Sequence, residues 1–151
     1  MKSMSEPITK KTYDIWAYFY DHSFGALVKE RQVRAVEQLH LKPGDKVLDI
    51  GVGTGMTLPH YPKNVQIYGL DLSEGMLAKA HVRRVERNLD HVHLVRADAM
   101  LPPFAEASFD HVMITHTISV VSDPGKLIRW AQRLVKPGGS IVMLKIGRTH
   151  V

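Results

Sequence analysis

Three aspartates and three glycines carry the chemistry this sequence offers. Asp49 lies in a short apolar run, Val47 to Ile50, and Gly51, Gly53 and Gly55 follow it on a two-residue beat. Asp71 ends the next apolar run, and Asp98 follows a third, Val92 to Arg96. Glycine has no Cβ and tolerates positive φ, so such a turn brings bare backbone close to a ligand. A carboxylate at the end of the second strand of a parallel array can accept both hydroxyls of a ribose. The plainer reading of Asp71 is that it caps the following helix, where the dipole favours an acid. For one acid the two readings are level; three acids at matching strand ends weigh towards a ligand.

The elements that position these residues alternate in type. An amphipathic helix is predicted over Ile8 to Tyr20, broken at Ser23-Phe24-Gly25, and a second over Phe24 to Leu39 with Leu27, Val28, Ala35, Val36 and Leu39 on one stripe. Lys42 to Asp45 is a turn, and Lys46 to Ile50 the first strand. A short helix after the glycines is cut off by Pro59 and Pro62. Val65 to Leu70 is the second strand, and Ser73 caps a helix to about Leu89 with Met76, Leu77, Ala80 and Val85 facing inward. Val92 to Arg96 and Phe109 to Thr115 are the third and fourth strands. Asp123-Pro124 starts a helix carrying Leu127, Ile128, Ala131, Leu134 and Val135, which Lys136-Pro-Gly-Gly139 stops before a fifth strand, Ser140 to Ile146. Strand-helix alternation predicts an α/β fold, a mainly parallel sheet of about five strands covered on both faces, with ligands at the carboxyl ends of the strands.

Composition narrows the function classes. The chain has 151 residues, 44% of them hydrophobic, which suits one soluble globular domain. No run approaches the roughly 20 apolar residues that span a bilayer, and the N-terminus lacks a signal-peptide core, so a cytoplasmic location is expected. The absence of cysteine excludes disulfides, thiolate metal sites and thiol nucleophiles. The net charge of +5 suits an anionic partner, but the basic residues are dispersed, so nucleic acid is not expected. His81, His91, His93 and His111 show no clustering with carboxylates, and no metal site is expected.

The glycines read G-x-G-x-G, with Met56 at the third-glycine position of the dinucleotide fingerprint G-x-G-x-x-G and Pro59 interrupting the helix that would hold a pyrophosphate. Both departures point away from a nicotinamide oxidoreductase.

The stretch Val47-Leu-Asp-Ile-Gly-Val-Gly-Thr-Gly-Met-Thr-Leu-Pro59 resembles the first motif of class I S-adenosylmethionine-dependent methyltransferases. Gly69-Leu-Asp-Leu-Ser-Glu-Gly-Met-Leu77 resembles the acidic loop that follows it, Ala97-Asp-Ala-Met-Leu-Pro102 and Phe104 through Asp110 the third and fourth strand motifs, and Leu134-Val-Lys-Pro-Gly-Gly-Ser-Ile-Val142 the fifth. A narrower resemblance, to bacterial phospholipid N-methyltransferases that methylate phosphatidylethanolamine, rests on Tyr13 to Asp21 with Phe24-Gly25, on the glycine motif extended to His60-Tyr-Pro62, and on Ile118 to Pro124.

These resemblances imply a Rossmann-like three-layer sandwich, C-terminally truncated relative to the seven-stranded family sheet, and S-adenosyl-L-methionine as cofactor. They imply a division into an N-terminal helical lid or membrane-contact segment, 1–40, and a cofactor-binding domain, 41–151. Asp49, Gly51, Gly53, Thr54 and Gly55 would hold the methionine end of the cofactor. Asp71 would take the ribose hydroxyls, with Leu72 and Met76 near the adenine, and Asp98 the adenine amino group, with Ala99 adding backbone. Thr115 and His116 would border the sulfonium and the acceptor. His116 is the candidate base, set against the plainer reading of a satisfied strand-end residue. Tyr13, Trp16 and Tyr20 could close over the site, lie in an anionic membrane interface, or simply pack on the sheet. The expected acceptor is an amine, such as a phospholipid headgroup, or another small molecule; a cofactor-binding module without activity is the alternative. The fifth strand would leave an open edge, and a homodimer covering it is expected.

Overall fold

The computed structural model describes residues 23–115 and 121–144. The helix expected over Ile8 to Tyr20 lies outside them, as do Tyr13, Trp16, Tyr20 and His116. Among the described residues, five parallel strands form one sheet in the order β3-β2-β1-β4-β5. They are β1 (Lys46–Ile50), β2 (Gln66–Asp71), β3 (Val92–Arg96), β4 (Phe109–Thr115) and β5 (Val135–Leu144). Three helices flank them, α1 (Ser23–Glu37), α2 (Glu74–Glu86) and α3 (Pro124–Leu134). The chain winds outward from β1 through β2 to β3, then returns to place β4 on the other side of β1. Strand order therefore reverses at β1, and in sheets of this kind the ligand crevice lies beyond the carboxyl ends of the strands at that switch, here β1 and β4.

Alternation along the strands sorts the core into two layers. Val47, Ile67 and Met113 pack with Ala35, Val36 and Leu39 near α1 and Ala80 of α2. Leu48, Ile50, Leu70, Val112 and Ile114 pack on the other face with Leu127, Ala131 and Leu134 of α3. A period of two in a strand buried on both sides gives apolar residues throughout, which is why β1 reads as a continuous run. The expected three-layer α/β architecture is thus the observed one.

Several expectations about these elements need correction. Leu27, Met76 and Val85 are exposed, because each falls just off the arc of its helix that meets the sheet. Helix α2 ends at Glu86 rather than near Leu89; Asn88 turns to positive φ there, and Leu89 is buried beyond the helix end. Pro59 does not cut off the turn after the glycines but begins it, since a fixed φ suits the first residues of the 3₁₀ helix Leu58–His60. Strand β5 begins at Val135, not Ser140. Between the pairs Phe109–Val135 and His111–Ser140, β5 has four residues against one on β4, so Lys136 to Gly139 bulge out of register.

At the opposite end of the sheet from the crevice, His111 pairs with a carboxylate and a hydroxyl that the sequence did not reveal. Its Nε2 lies 2.9 Å from Asp45 Oδ2 and its Nδ1 2.7 Å from Ser140 Oγ. Burial alone would raise the Asp45 carboxyl, but the Lys42 N–H and His111 outweigh it and hold it below its ordinary value. One imidazole thereby ties the turn before β1 to β4 and β5. We expect His111→Ala to lower stability by about 1–3 kcal/mol in urea denaturation near neutral pH. The contribution of Asp45 is present above its ordinary pKa and is lost as pH falls through the depressed value, so the difference between variant and wild type should shrink in acid.

Candidate functional site

Asp49 faces the α1–α2 side of the sheet and is completely buried. Three hydroxyls surround it. Thr57 Oγ1 and Tyr61 OH each donate to Oδ2 at 2.8 Å, and Thr115 Oγ1 lies 2.8 Å from Oδ1. Among the described residues, no lysine, arginine or histidine forms an ion pair with it. Burial pushes its carboxyl up to about 6; the three hydroxyls resist that rise, and the charge of Asp71 adds to it. The Tyr61 phenol is driven well above its ordinary value by its own burial and by the neighbouring Asp49. A carboxylate this costly to charge, with donors arranged for the charged form and no cation beside it, is a site short of positive charge.

The glycine turn lies immediately after it. Gly51, Gly53 and Gly55 all have positive φ, at 76°, 57° and 80°. The N–H groups of Gly51 and Val52 bond the Leu70 carbonyl at 2.8 and 3.0 Å, pinning the turn to β2. A Cβ built on Gly53 meets nothing nearer than the Gly51 oxygen at 4.0 Å, so the middle of the turn presents bare backbone to open space. The Thr54 carbonyl accepts from Arg83 Nε at 3.2 Å, which fixes the far side of the turn to α2.

Asp71 clamps the same turn. Its Oδ2 accepts from the Gly53 N–H and its Oδ1 from the Ser73 N–H, both at 2.9 Å. The helix start is capped instead by Ser73, whose Oγ accepts from the Met76 N–H at 3.2 Å. Asp71 thus does more than cap, and two of its roughly four acceptor positions stay available for a ligand diol. Leu72 is 61% exposed and Met76 37%, so apolar surface flanks this carboxylate. Asp98 turns one oxygen back to the Met100 N–H at 2.9 Å, and Ala99 is buried in the layer beneath.

The carboxyl ends of β1, β2 and β4 therefore bring together Asp49, the three glycines, Thr54, Asp71, Leu72, Met76 and Thr115. Asp98 and Ala99 follow the end of β3. Asp49 itself is sealed behind its hydroxyls, so it acts on this crevice through the turn and through its field. The two residues that sequence reasoning missed are Thr57 and Tyr61. Their only signal was a hydroxyl pair four residues apart just after the glycines.

Residues 48–143, more than half of the chain, match the family described as "Methyltransferase domain". A phosphatidylethanolamine N-methyltransferase of Cereibacter sphaeroides is 34% identical over 135 residues, covering 89% of this chain and 66% of the relative. A demethylmenaquinone methyltransferase of Staphylococcus haemolyticus is 35% identical over 114 residues, covering 73% of this chain but 47% of the relative. A solved structure of Haemonchus contortus phosphoethanolamine N-methyltransferase 2 with S-adenosyl-L-methionine superposes with a TM-score of 0.68 at 30% identity, over 76% of this chain and 27% of that one. The chain thus spans at most about two thirds of these proteins. With its strand order, its glycine turn and its acids at the strand ends, the chain belongs to the methyltransferase domain family.

Proposed function

We propose that this protein binds S-adenosyl-L-methionine in the crevice beyond β1 and β4 and transfers its methyl group to an amine, with a phospholipid headgroup such as phosphatidylethanolamine as acceptor. The observation that carries this reading is the tie from Gly53 N–H to Asp71, which places an open glycine turn and a ribose-competent carboxylate side by side over the buried charge of Asp49. The cofactor, when bound, supplies a methyl on a sulfonium, displaced in line by a neutral nucleophile. The chain's share of the work is to align and to exclude water. The turn offers backbone to the methionine end, Asp71 has acceptor positions for the ribose, and Leu72 and Met76 offer apolar surface to the base. Because the sulfonium leaves as a neutral thioether, no residue here has to act as a general acid.

The phospholipid acceptor is supported by likeness to the Cereibacter sphaeroides enzyme. A second reading, transfer to a quinone precursor, is supported by likeness to the Staphylococcus haemolyticus enzyme. None of the described helices is long and apolar enough to cross a membrane. Contact with lipid is assigned in this proposal to the N-terminal segment, 1–40. A homodimer paired along β5, the edge strand of the sheet among the described residues, belongs to the same proposal. Incubation with methyl-labelled cofactor and phosphatidylethanolamine vesicles should transfer label to lipid. Label in a quinone precursor alone would favour the second reading, and label in neither, with cofactor still bound, would make the chain a binding module.

Asp71→Ala should weaken cofactor binding by about 1–3 kcal/mol, read by calorimetry. Wild-type affinity in that variant would remove Asp71 from the site.

A further inference from the structure

The hydroxyls around Asp49 are not equivalent. Oδ2 receives two donors, Thr57 and Tyr61, and has no need of a proton. Oδ1 faces Thr115, whose Oγ1 also lies 2.9 Å from the Gly51 carbonyl and 3.3 Å from the Ile50 carbonyl. A hydroxyl has one hydrogen to give. With Asp49 ionised, Thr115 donates to Oδ1. With Asp49 protonated on Oδ1, the carboxylic acid donates to Thr115 and Thr115 turns its own hydrogen to Gly51. In both states the carboxyl and the Thr115 hydroxyl are bonded to each other, and the states differ in what the glycine turn receives.

Resting on the cofactor reading above, we propose that Thr57, Tyr61 and Thr115 are a positioning set that makes Asp49 a proton-for-cation exchanger: a cationic ligand entering the glycine turn drives the Asp49 proton out to solvent, and Thr115 swings from the Gly51 carbonyl to the carboxylate. The atoms balance, since the acid loses one proton to buffer as one positive charge enters the crevice. The carboxyl rises to about 6 when no cation is present, so the protonated form is populated in mildly acid solution. Among the described residues, the charged and titratable groups facing this carboxyl are Asp71 from β2 and Tyr61 just after the 3₁₀ helix; Asp71 disfavours its ionisation, and the cation reverses that. Neither Tyr61 nor Thr57 has an expected contact with ligand, and both act through Asp49.

The test counts protons. Calorimetry of S-adenosyl-L-methionine binding in two buffers of different ionisation enthalpy should register release of a substantial fraction of one proton at pH 5.5 and almost none at pH 8. Affinity should fall towards acid pH, with a midpoint near 6. Tyr61→Phe removes a donor that favours the carboxylate, so it should move that midpoint up by about one pH unit with little loss of affinity at pH 8.5. Thr115→Ser should keep the wild-type profile and Thr115→Val should not. In the ligand-free protein, carbon NMR of labelled aspartate, assigned with Asp49→Asn, should show one carboxyl titrating well above the others and shifting upward in Tyr61→Phe. A pH-independent affinity with no proton release, or an Asp49 carboxyl titrating in the ordinary range, would overturn the exchange. Failure to bind the cofactor at any pH would instead sink the reading on which it rests, while the NMR titration would still report on the hydroxyl set.

Discussion

Asp49→Asn should make the ligand-free protein more stable at pH 8 while weakening its hold on a cationic cofactor. The sign follows from linkage. Asp49 binds its proton more tightly folded than unfolded, because burial raises its carboxyl from 3.8 to about 6. Between those values the native state holds more protons than the unfolded chain, so this group's contribution to stability falls as pH rises through that window. Above it the penalty is complete and amounts to roughly 3 kcal/mol for two pKa units. An amide carries no charge and escapes it. Part of that gain is lost, because the amide NH₂ must find acceptors among three hydroxyls that have been donating. We therefore expect a net gain of about 1–2 kcal/mol at pH 8, and none at pH 4, where the wild-type acid is neutral as well. Denaturant curves at both pH values check this. The same substitution removes the negative charge that offsets a bound cation, and affinity should drop about 10- to 100-fold, the range of a coupling between two sites that do not touch. A variant destabilised equally at both pH values would mean that Asp49 is held for packing rather than kept charged for a ligand.

Much of this arrangement was legible before any coordinates. Strands β1, β3 and β4 run between the residues their apolar runs predicted, and β2 is displaced by one. The reason is local: a buried parallel strand needs an uninterrupted apolar run, and Asp123-Pro124 can be read as a helix start because both the cap and the fixed φ act within one turn. The Asp123 side chain does accept the Lys126 N–H. What escaped were contacts that close over distance. His111 reaches Asp45 across 66 positions, and nothing in either neighbourhood announces the other. Tyr61 reads as one more aromatic beside a proline. Only the fold reveals that the 3₁₀ turn carries its ring into the core and its hydroxyl to Asp49. The bulge that starts β5 at Val135 was hidden because Lys136-Pro-Gly-Gly139 looks the same whether it ends a helix or loops out of a strand.

The glycine turn divides into one position kept open for a ligand and one kept open for the protein itself, and mutation separates them. Gly55→Ala should cost about 2–5 kcal/mol of stability. Its φ of 80° is strained for any residue with a Cβ, and that Cβ would stand 2.7 Å from Leu58 Cδ1, 3.2 Å from Ala80 Cβ and 3.3 Å from Ala80 Cα. Leu58 and Ala80 are both fully buried, so neither can retreat into solvent. Gly55 therefore does the close-packing work that the dinucleotide fingerprint assigns to a glycine one position later, which explains how Met56 can stand there without opening the helix–turn contact. Gly53→Ala meets only the backbone strain, roughly 1–2 kcal/mol, because its Cβ points into open space. That space is where the proposed cofactor lies, so Gly53→Ala should weaken binding far more than stability. Ala80→Gly should recover part of the Gly55→Ala loss, less the roughly 1 kcal/mol that glycine costs inside a helix. It should do nothing for Gly53→Ala. Urea denaturation of the four variants, with calorimetry of the two glycine substitutions, separates these roles; equal stability losses at Gly53 and Gly55 would show that backbone strain, not the contact with α2, fixes glycine at both.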